Sequence, residues 1–162
     1  MSSTEKPHVH IVATGETIAN VTGDYDSPDG FLTADDLVDE MPELSEVAEI
    51  TSTGITRKGS SSLDPGVWYD TYDEIMTQAT SENPPDGFVV THGSNTSEET
   101  AYFLNLVLKT ELPVVVTAAQ RGINDVGSEG FKNLFDAVRT AASPDAAGRG
   151  TMLVTNDEIH HA

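Results

Sequence analysis

The sequence predicts a single α/β domain over residues 1–162, an open and mostly parallel sheet with helices on both faces. Three observations point there. Apolar runs such as "VHIVAT", "GFVV" and "PVVV" are continuous rather than alternating, the mark of strands buried on both faces. Segments with helical periodicity lie between them. The runs also close on glycine or small polar residues, and strand carboxyl ends are where open α/β sheets hold ligands.

Taken in order, "VHIVAT" (9–14) opens as a strand, followed by the polar loop "NVTGDYDSPDGF" (20–31). Loops of that length commonly serve as lids or binding loops. "TADDLVDEMPELSEVA" (33–48) predicts one helix with Leu37, Val38, Met41, Leu44 and Val47 as its apolar stripe and Thr33 as its N-cap. "EITSTGIT" (49–56) predicts a second strand. Residues 66–78 then place Trp68, Tyr72, Ile75 and Met76 on one helical face, read as core. "DGFVVTHG" (86–93) is a buried strand, and "TSEETAYFLNLVLK" (96–109) a helix with Phe103, Leu104, Val107 and Leu108 inward. "LPVVVTAA" (112–119), "SEGFKNLFDAVRTAA" (128–142) and "TMLVTN" (151–156) complete the pattern as strand, helix and strand, about five strands in all. The closing "NDEIHHA" predicts a frayed end carrying His160 and His161.

Charge excludes several functions. Eight Lys and Arg face 27 Asp and Glu, a formal net charge of −19, which repels nucleic acid and anionic lipid. The acids are spread along the chain rather than gathered in a tail. Self-repulsion of this size opposes compaction unless salt screens it, so the composition points to a salt-rich cytoplasm, with an ordinary acidic protein as the alternative. The absence of cysteine excludes disulfides, thiolate nucleophiles and Cys-ligated zinc. The opening "MSSTEKPHVHIVATG" has no signal-peptide pattern, and no run approaches the roughly 20 apolar residues of a membrane span. The expectation is a cytoplasmic protein.

Two stretches carry chemistry. In "ATGET" (13–17), hydroxyls flank a glycine at a strand end; a threonine nucleophile there needs a base and oxyanion donors nearby. Alone, the stretch also reads as an ordinary turn. In "VVTHGSNTSEETAYFL" (89–104), Gly93 permits a sharp turn and Ser94 to Thr96 lead into a helix. A capping box, Thr96 with Glu99 or Asn95 with Glu98, accounts for that pattern without function. The same small polar groups suit an amino-acid ligand whose carboxylate meets helix-start N–H groups. His8 and His10 alternate on the first strand, and two ligands alone make packing the better account than a metal.

Together, "ATGETIA", "VVTHGSNTSEETAYFLNL", "LPVVVTAAQR" and "GFKNLFDAVRTAAS…NDEIHHA" resemble the bacterial-type L-asparaginase family, including its glutaminase-asparaginase members. The similarity runs from about residue 8 to the end and covers the N-terminal part of the family's usual chain. It implies a flavodoxin-like or Rossmann-like three-layer N-terminal domain. The family's smaller C-terminal domain is absent from this chain. It also implies hydrolysis of L-asparagine, or L-glutamine, without metal or organic cofactor, in a homo-oligomer if a full-length chain exists. By the match, Thr17 is the nucleophile, with Gly15 beside it and Thr14 as a structural neighbour. Ser94 and Asn95 fall where the family has the threonine and aspartate of its second catalytic group, with Gly93 lining the substrate site. "GSSSL" matches the carboxylate loop, making Ser60 and Ser61 substrate contacts, and Tyr25 matches the tyrosine that helps activate the nucleophile. His92 matches a supporting histidine.

Three departures qualify the resemblance. Glu16 stands where the family has glycine, either repelling a substrate carboxylate or pointing outward; the cost of burying an unpaired charge favours outward. Asn95 keeps an amide oxygen for a substrate ammonium but lacks the charge to stabilise a lysine. The family's catalytic lysine falls beyond Ala162, and neither Lys109 nor Lys132 matches it. A binding domain that holds asparagine without turnover is therefore the second reading. The third is the asparaginase-like subunit of a tRNA-dependent amidotransferase, for which the seven residues before the first strand leave no N-terminal segment.

Overall fold

The computed structural model describes residues 6–15, 17–24, 27–58 and 64–162; Glu16, Tyr25, Ser60 and Ser61 lie outside them. Strands β1 (His8–Gly15), β2 (Glu49–Lys58), β3 (Gly87–Gly93), β4 (Val114–Ala119) and β5 (Thr151–Thr155) run parallel. A last strand, β6 (Glu158–His161), returns antiparallel to β5, and the order across the sheet is β2-β1-β3-β4-β5-β6. The expected open, three-layer α/β arrangement is what forms, with one strand more than the apolar runs announced.

That extra strand overturns the frayed-end expectation. Asn156 and Asp157 take φ of 51° and 67°, the left-handed pair that closes a two-residue hairpin and that Asn and Asp tolerate best. His160 and His161 then pair with Leu153 and Met152. The second correction concerns residues 33–48, where two short helices, α1 (Ala34–Asp39) and α2 (Leu44–Val47), replace one. Pro42 has no N–H to donate and its ring clashes with the preceding turn, so the helix stops before it. The apolar stripe survives the break: Leu37 and Leu44 are buried and Val38, Met41 and Val47 pack on the same core. Thr33 caps α1 as its position suggests, its hydroxyl accepting from the Asp36 N–H at 3.1 Å while Asp36 takes the Thr33 N–H at 3.2 Å. The Thr33 hydroxyl also donates to Asp36 Oδ2 at 2.6 Å, and that bond, with the one from the Thr33 N–H, holds the Asp36 carboxyl below its ordinary range.

Helices α3 (Pro65–Ala79), α4 (Ser97–Val107) and α5 (Gly130–Ala141) divide between the faces. Val9, Ile11, Val89 and Val115 meet α1, α2 and α5 on one face. Val12, Phe88, Val90 and Val116 meet α3 and α4 on the other. This alternation along each strand explains why the runs are continuously apolar: both faces are covered.

The division also fixes handedness. The chain steps from β3 to β4 and from β4 to β5 in the same direction, yet α4 and α5 lie on opposite faces. The β4–α5–β5 connection thus has the opposite hand to the other three parallel crossovers, and the near-universal right-handed rule marks it as the left-handed one. Its effect is local. It carries the loop after β4 onto the face where the loop after β1 lies, and the two loops meet over the candidate site.

Candidate active site

The chain leaves β1 to one side for β2 and crosses β1 to reach β3 on the other, so β1 and β3 form the switch point of the sheet. Both informative stretches end there. Gly15 has φ 82°, a conformation that disfavours any side chain, and the pairing with β2 slips between Ala13 and Gly15. The glycine of "ATGET" is thus required by the backbone that turns the chain out of the sheet. Thr17–Ala19 coil into a 3-10 turn packed over the ends of β3 and β4, with Ile18 buried beneath. Thr17 itself is half-buried, and its hydroxyl makes no hydrogen bond among the described residues. Thr14, fully buried, donates from Oγ1 to the Thr91 carbonyl at 2.9 Å and locks the end of β1 to the end of β3.

Asn20, only 1% exposed, holds the turn from outside. Its N–H bonds the Thr17 carbonyl at 3.1 Å, its Oδ1 takes the Gly23 N–H at 2.6 Å, and its Nδ2 donates to the Asp24 carbonyl at 2.9 Å. Its own carbonyl accepts from Ile123 at 3.0 Å, and Asn124 Nδ2 reaches the Val21 carbonyl at 3.3 Å. Gly122 sits so close that a Cβ there would stand 2.9 Å from the Asn20 oxygen. The left-handed crossover makes this zipper between the two loops. Sequence reading missed Asn20; its only signal was an amide one residue beyond an apolar pair, ahead of a glycine.

At the end of β3, Ser94 is half-buried and Asn95 exposed, on the same sheet edge as Thr17. The capping boxes that the spacing allowed do not form. Thr96 is the N-cap of α4 at φ −139° and ψ 25°, too far from ideal to bond the helix, and its Oγ1 is buried with no partner among the described residues. His92 is fully buried, with Nδ1 2.9 Å from the Gly93 oxygen and Nε2 2.9 Å from Thr100 Oγ1. Burial pushes its pKa down, so the ring is neutral. Trp68 Nε1 donates to the same Thr100 oxygen at 2.8 Å. Trp68 was expected as plain core; it is half-buried, stacked on Phe103 at 5.3 Å, and tied to the site.

The switch point therefore brings Gly15, Thr17, Gly93, Ser94 and Asn95 to one rim, while Tyr25, Ser60 and Ser61 fall outside the described residues. Neither described lysine of the sequence argument is available to this rim. Lys109 follows α4 at the opposite edge of the sheet, and Lys132 is bound to Asp136 at 2.6 Å and to Asp157. Those carboxylates raise the Lys132 pKa. Beside Gly15 opens a cleft of about 320 Å³ reached by Thr33, Asp35, Ser52 and Arg57. Among the described residues no three His, Cys, Asp or Glu stand together as metal ligands; His8 and His10 instead converge on Thr51 Oγ1, each at 2.7 Å.

Residues 8–162 match the family described as "Asparaginase, N-terminal". The chain is 36% identical over 168 residues to L-asparaginase 2 of Bacillus subtilis, covering 99% of this chain and 44% of that protein. It is 35% identical over 162 residues to the glutaminase-asparaginase of Pseudomonas fluorescens, covering 98% and 44%. The crystal structure of a probable cytoplasmic L-asparaginase from Campylobacter jejuni superposes with a TM-score of 0.83 at 33% identity, over 96% of this chain and 46% of that one. The chain thus spans less than half the length of each of these relatives.

Proposed function

This chain belongs to the asparaginase family, matching its N-terminal domain, and on that premise we propose that it forms the nucleophile-bearing part of an L-asparaginase. Residues 1–162 act in this reading as one α/β domain. Thr17 Oγ1 attacks the side-chain amide carbon of L-asparagine, forming a C–O bond. The hydroxyl proton passes to the departing nitrogen as the C–N bond breaks, and ammonia leaves an aspartyl ester on Thr17. Water then adds to the ester carbon, its hydroxyl staying on aspartate while its proton returns to Thr17.

The other residues take the roles that the family resemblance supplies. Ser94 and Asn95 orient the substrate and the group that receives the proton, with Gly15 and Gly93 letting backbone N–H groups approach the developing oxyanion. Ser60 and Ser61 hold the α-carboxylate, and Tyr25 helps activate Thr17. The observation that carries the reading is the Thr17 hydroxyl, half-buried and with no hydrogen bond among the described residues, on a rim locked to the Gly93 corner through Thr14 and Thr91. Ammonia release from L-asparagine by the full-length protein tests it: the Thr17→Ala protein should bind asparagine and release none. Undiminished release from that variant would end the proposal.

One observation favours a second reading for the isolated chain. Lys132 is held by two carboxylates, Lys109 follows α4 away from the rim, and Asn95 carries no charge, so neither of these lysines forms a lysine–aspartate pair with the Ser94–Asn95 corner. Asparagine binding without turnover by residues 1–162, with turnover in a longer chain, is the outcome this predicts. We place the protein in a salt-rich cytoplasm and as a homo-oligomer, supported by the net charge of −19 and by the family. No helix among the described residues is long and apolar enough to cross a membrane. Glutamine as an alternative substrate has the support of the glutaminase-asparaginase relative.

A further inference from the structure

We propose that Trp68 is a positioning residue for the Gly93–Ser94 corner, acting through Thr100 and His92; the inference rests on the asparaginase reading for its effect on activity, but not for its geometry. The hydrogen-bond directions follow by elimination. An indole N–H only donates, so Thr100 Oγ1 accepts at 2.8 Å. A carbonyl only accepts, so the His92 proton sits on Nδ1, 2.9 Å from the Gly93 oxygen. A neutral imidazole has one N–H, so Nε2 must accept, and the Thr100 hydroxyl supplies that proton at 2.9 Å. Donation therefore runs one way, from Trp68 to Thr100 to His92 to Gly93. Thr100 is 1% exposed and His92 fully buried, so water does not substitute along the chain.

What the chain fixes is a peptide plane. The Gly93 carbonyl is held toward the His92 ring, and in a trans peptide the following N–H points the opposite way. The Ser94 N–H is thereby turned away from the His92 ring, at the strand end whose rim Thr17 shares. Trp68 is fixed in its turn by stacking on Phe103, with ring planes 20° apart. It stands in the first turn of α3, so one indole N–H links the start of α3, the buried face of α4 and the end of β3. Without it, nothing obliges the Thr100 proton to point at His92, and the imidazole is free to exchange tautomers and release the Gly93 carbonyl.

The test uses the intact protein, three single variants and the Trp68→Phe/Thr100→Val double variant. Trp68→Phe keeps a ring on Phe103 and removes the N–H, Thr100→Val removes the middle of the chain, and Thr100→Ser restores its hydroxyl. Nitrogen NMR of the His92 ring and of the Ser94 amide reads the geometry; kcat and KM for L-asparagine read the consequence. Trp68→Phe and Thr100→Val should each move the Ser94 amide resonance and lower kcat/KM by roughly 10- to 100-fold, chiefly in kcat. The double variant should be no worse than the weaker single one, because both act through one chain. Thr100→Ser should return both readouts to near the parent values. An unmoved Ser94 amide in both breaking variants, or losses that multiply in the double variant, overturns the proposal. A parent protein that releases no ammonia sinks the asparaginase reading, while the NMR arm still decides for or against the relay.

Discussion

Replacing Thr14 with valine removes one hydrogen bond and almost nothing else. The two side chains have nearly the same volume, and both Thr14 and Thr91 are fully buried, so neither cavity nor solvent intrudes. The 2.9 Å bond to the Thr91 carbonyl is lost, leaving that oxygen under-satisfied rather than orphaned, because a carbonyl has a second lone pair. The cost should therefore sit near the ordinary net worth of a hydrogen bond, about 1 kcal/mol. For a domain of this size that is a fall of about 2–4 °C in Tm. Thr117→Val provides the control: Thr117 is also fully buried and donates at 2.8 Å to the Val154 carbonyl, joining β4 to β5 instead of β1 to β3. Both variants should lose similar stability in a urea titration, a denaturant that leaves charge repulsion unscreened. Only Thr14→Val should also slow ammonia release from L-asparagine, by about tenfold or more, since it alone loosens the strand that leads into Thr17 from the Gly93 corner. Equal activity losses in the two variants would mean general softening, and no loss in Thr14→Val would mean that the lock does not set the site.

Further expectations test the fold around that lock. Gly87→Ala should destabilise by about 1–3 kcal/mol, because a Cβ there would stand 2.3 Å from the Ala141 carbonyl oxygen at the end of α5. Gly54→Ala meets only the Ala34 Cβ at 4.0 Å and should be neutral or slightly stabilising; equal urea midpoints for the two variants would refute the packing argument. Burial depresses the pKa of His10 and of His92, so the unfolded chain takes up protons that the folded one resists. Stability should be complete above about pH 6.5 and fall as the pH drops from there through the lowered folded values, and His92→Gln should flatten part of that slope between pH 7 and 5.5. Raising KCl from 0.1 M to 2 M should raise Tm, as screening contracts from about 10 Å to under about 3 Å around a net charge of −19; a flat salt profile would remove the argument for a salt-rich setting.

The layered architecture was legible because its cause is local: strands covered on both faces must be apolar throughout, and "VVV" at 114–116 can hardly serve elsewhere in such a fold. The misreadings have equally local causes. Periodicity alone joined Leu37 to Leu44 across Pro42, since both do face one core, and missed that a proline stops the helix that carries them. The Asn156–Asp157 turn was in the sequence, but the strand after it is fully exposed and offers no apolar run to announce it. Of the site, Thr17 and the Gly93 corner could be placed by matching stretches. Asn20, Trp68 and Thr100 could not, because their roles exist only once loops or helices far apart in sequence touch, as Trp68 and Thr100 do across 32 positions.

Those long-range contacts share a chemical character that the composition helps to explain. Three sets of bonds that orient the rim are neutral: Thr14 to Thr91, the Asn20 cluster, and the run from Trp68 to Gly93. The ion pairs of Arg121, Lys132, Arg139 and His160 involve side chains that are 51–61% exposed, where salt weakens them. A chain this acidic has few cations to spend on its interior, and an unpaired carboxylate buried near the rim would raise the cost of admitting a substrate that brings its own. Orienting the rim with hydroxyls, amides and one neutral imidazole avoids both problems. It also separates two properties: ionic strength acts on the surface and hence on whether the domain is folded, while the geometry at Thr17 and Ser94 is set by bonds that salt does not reach.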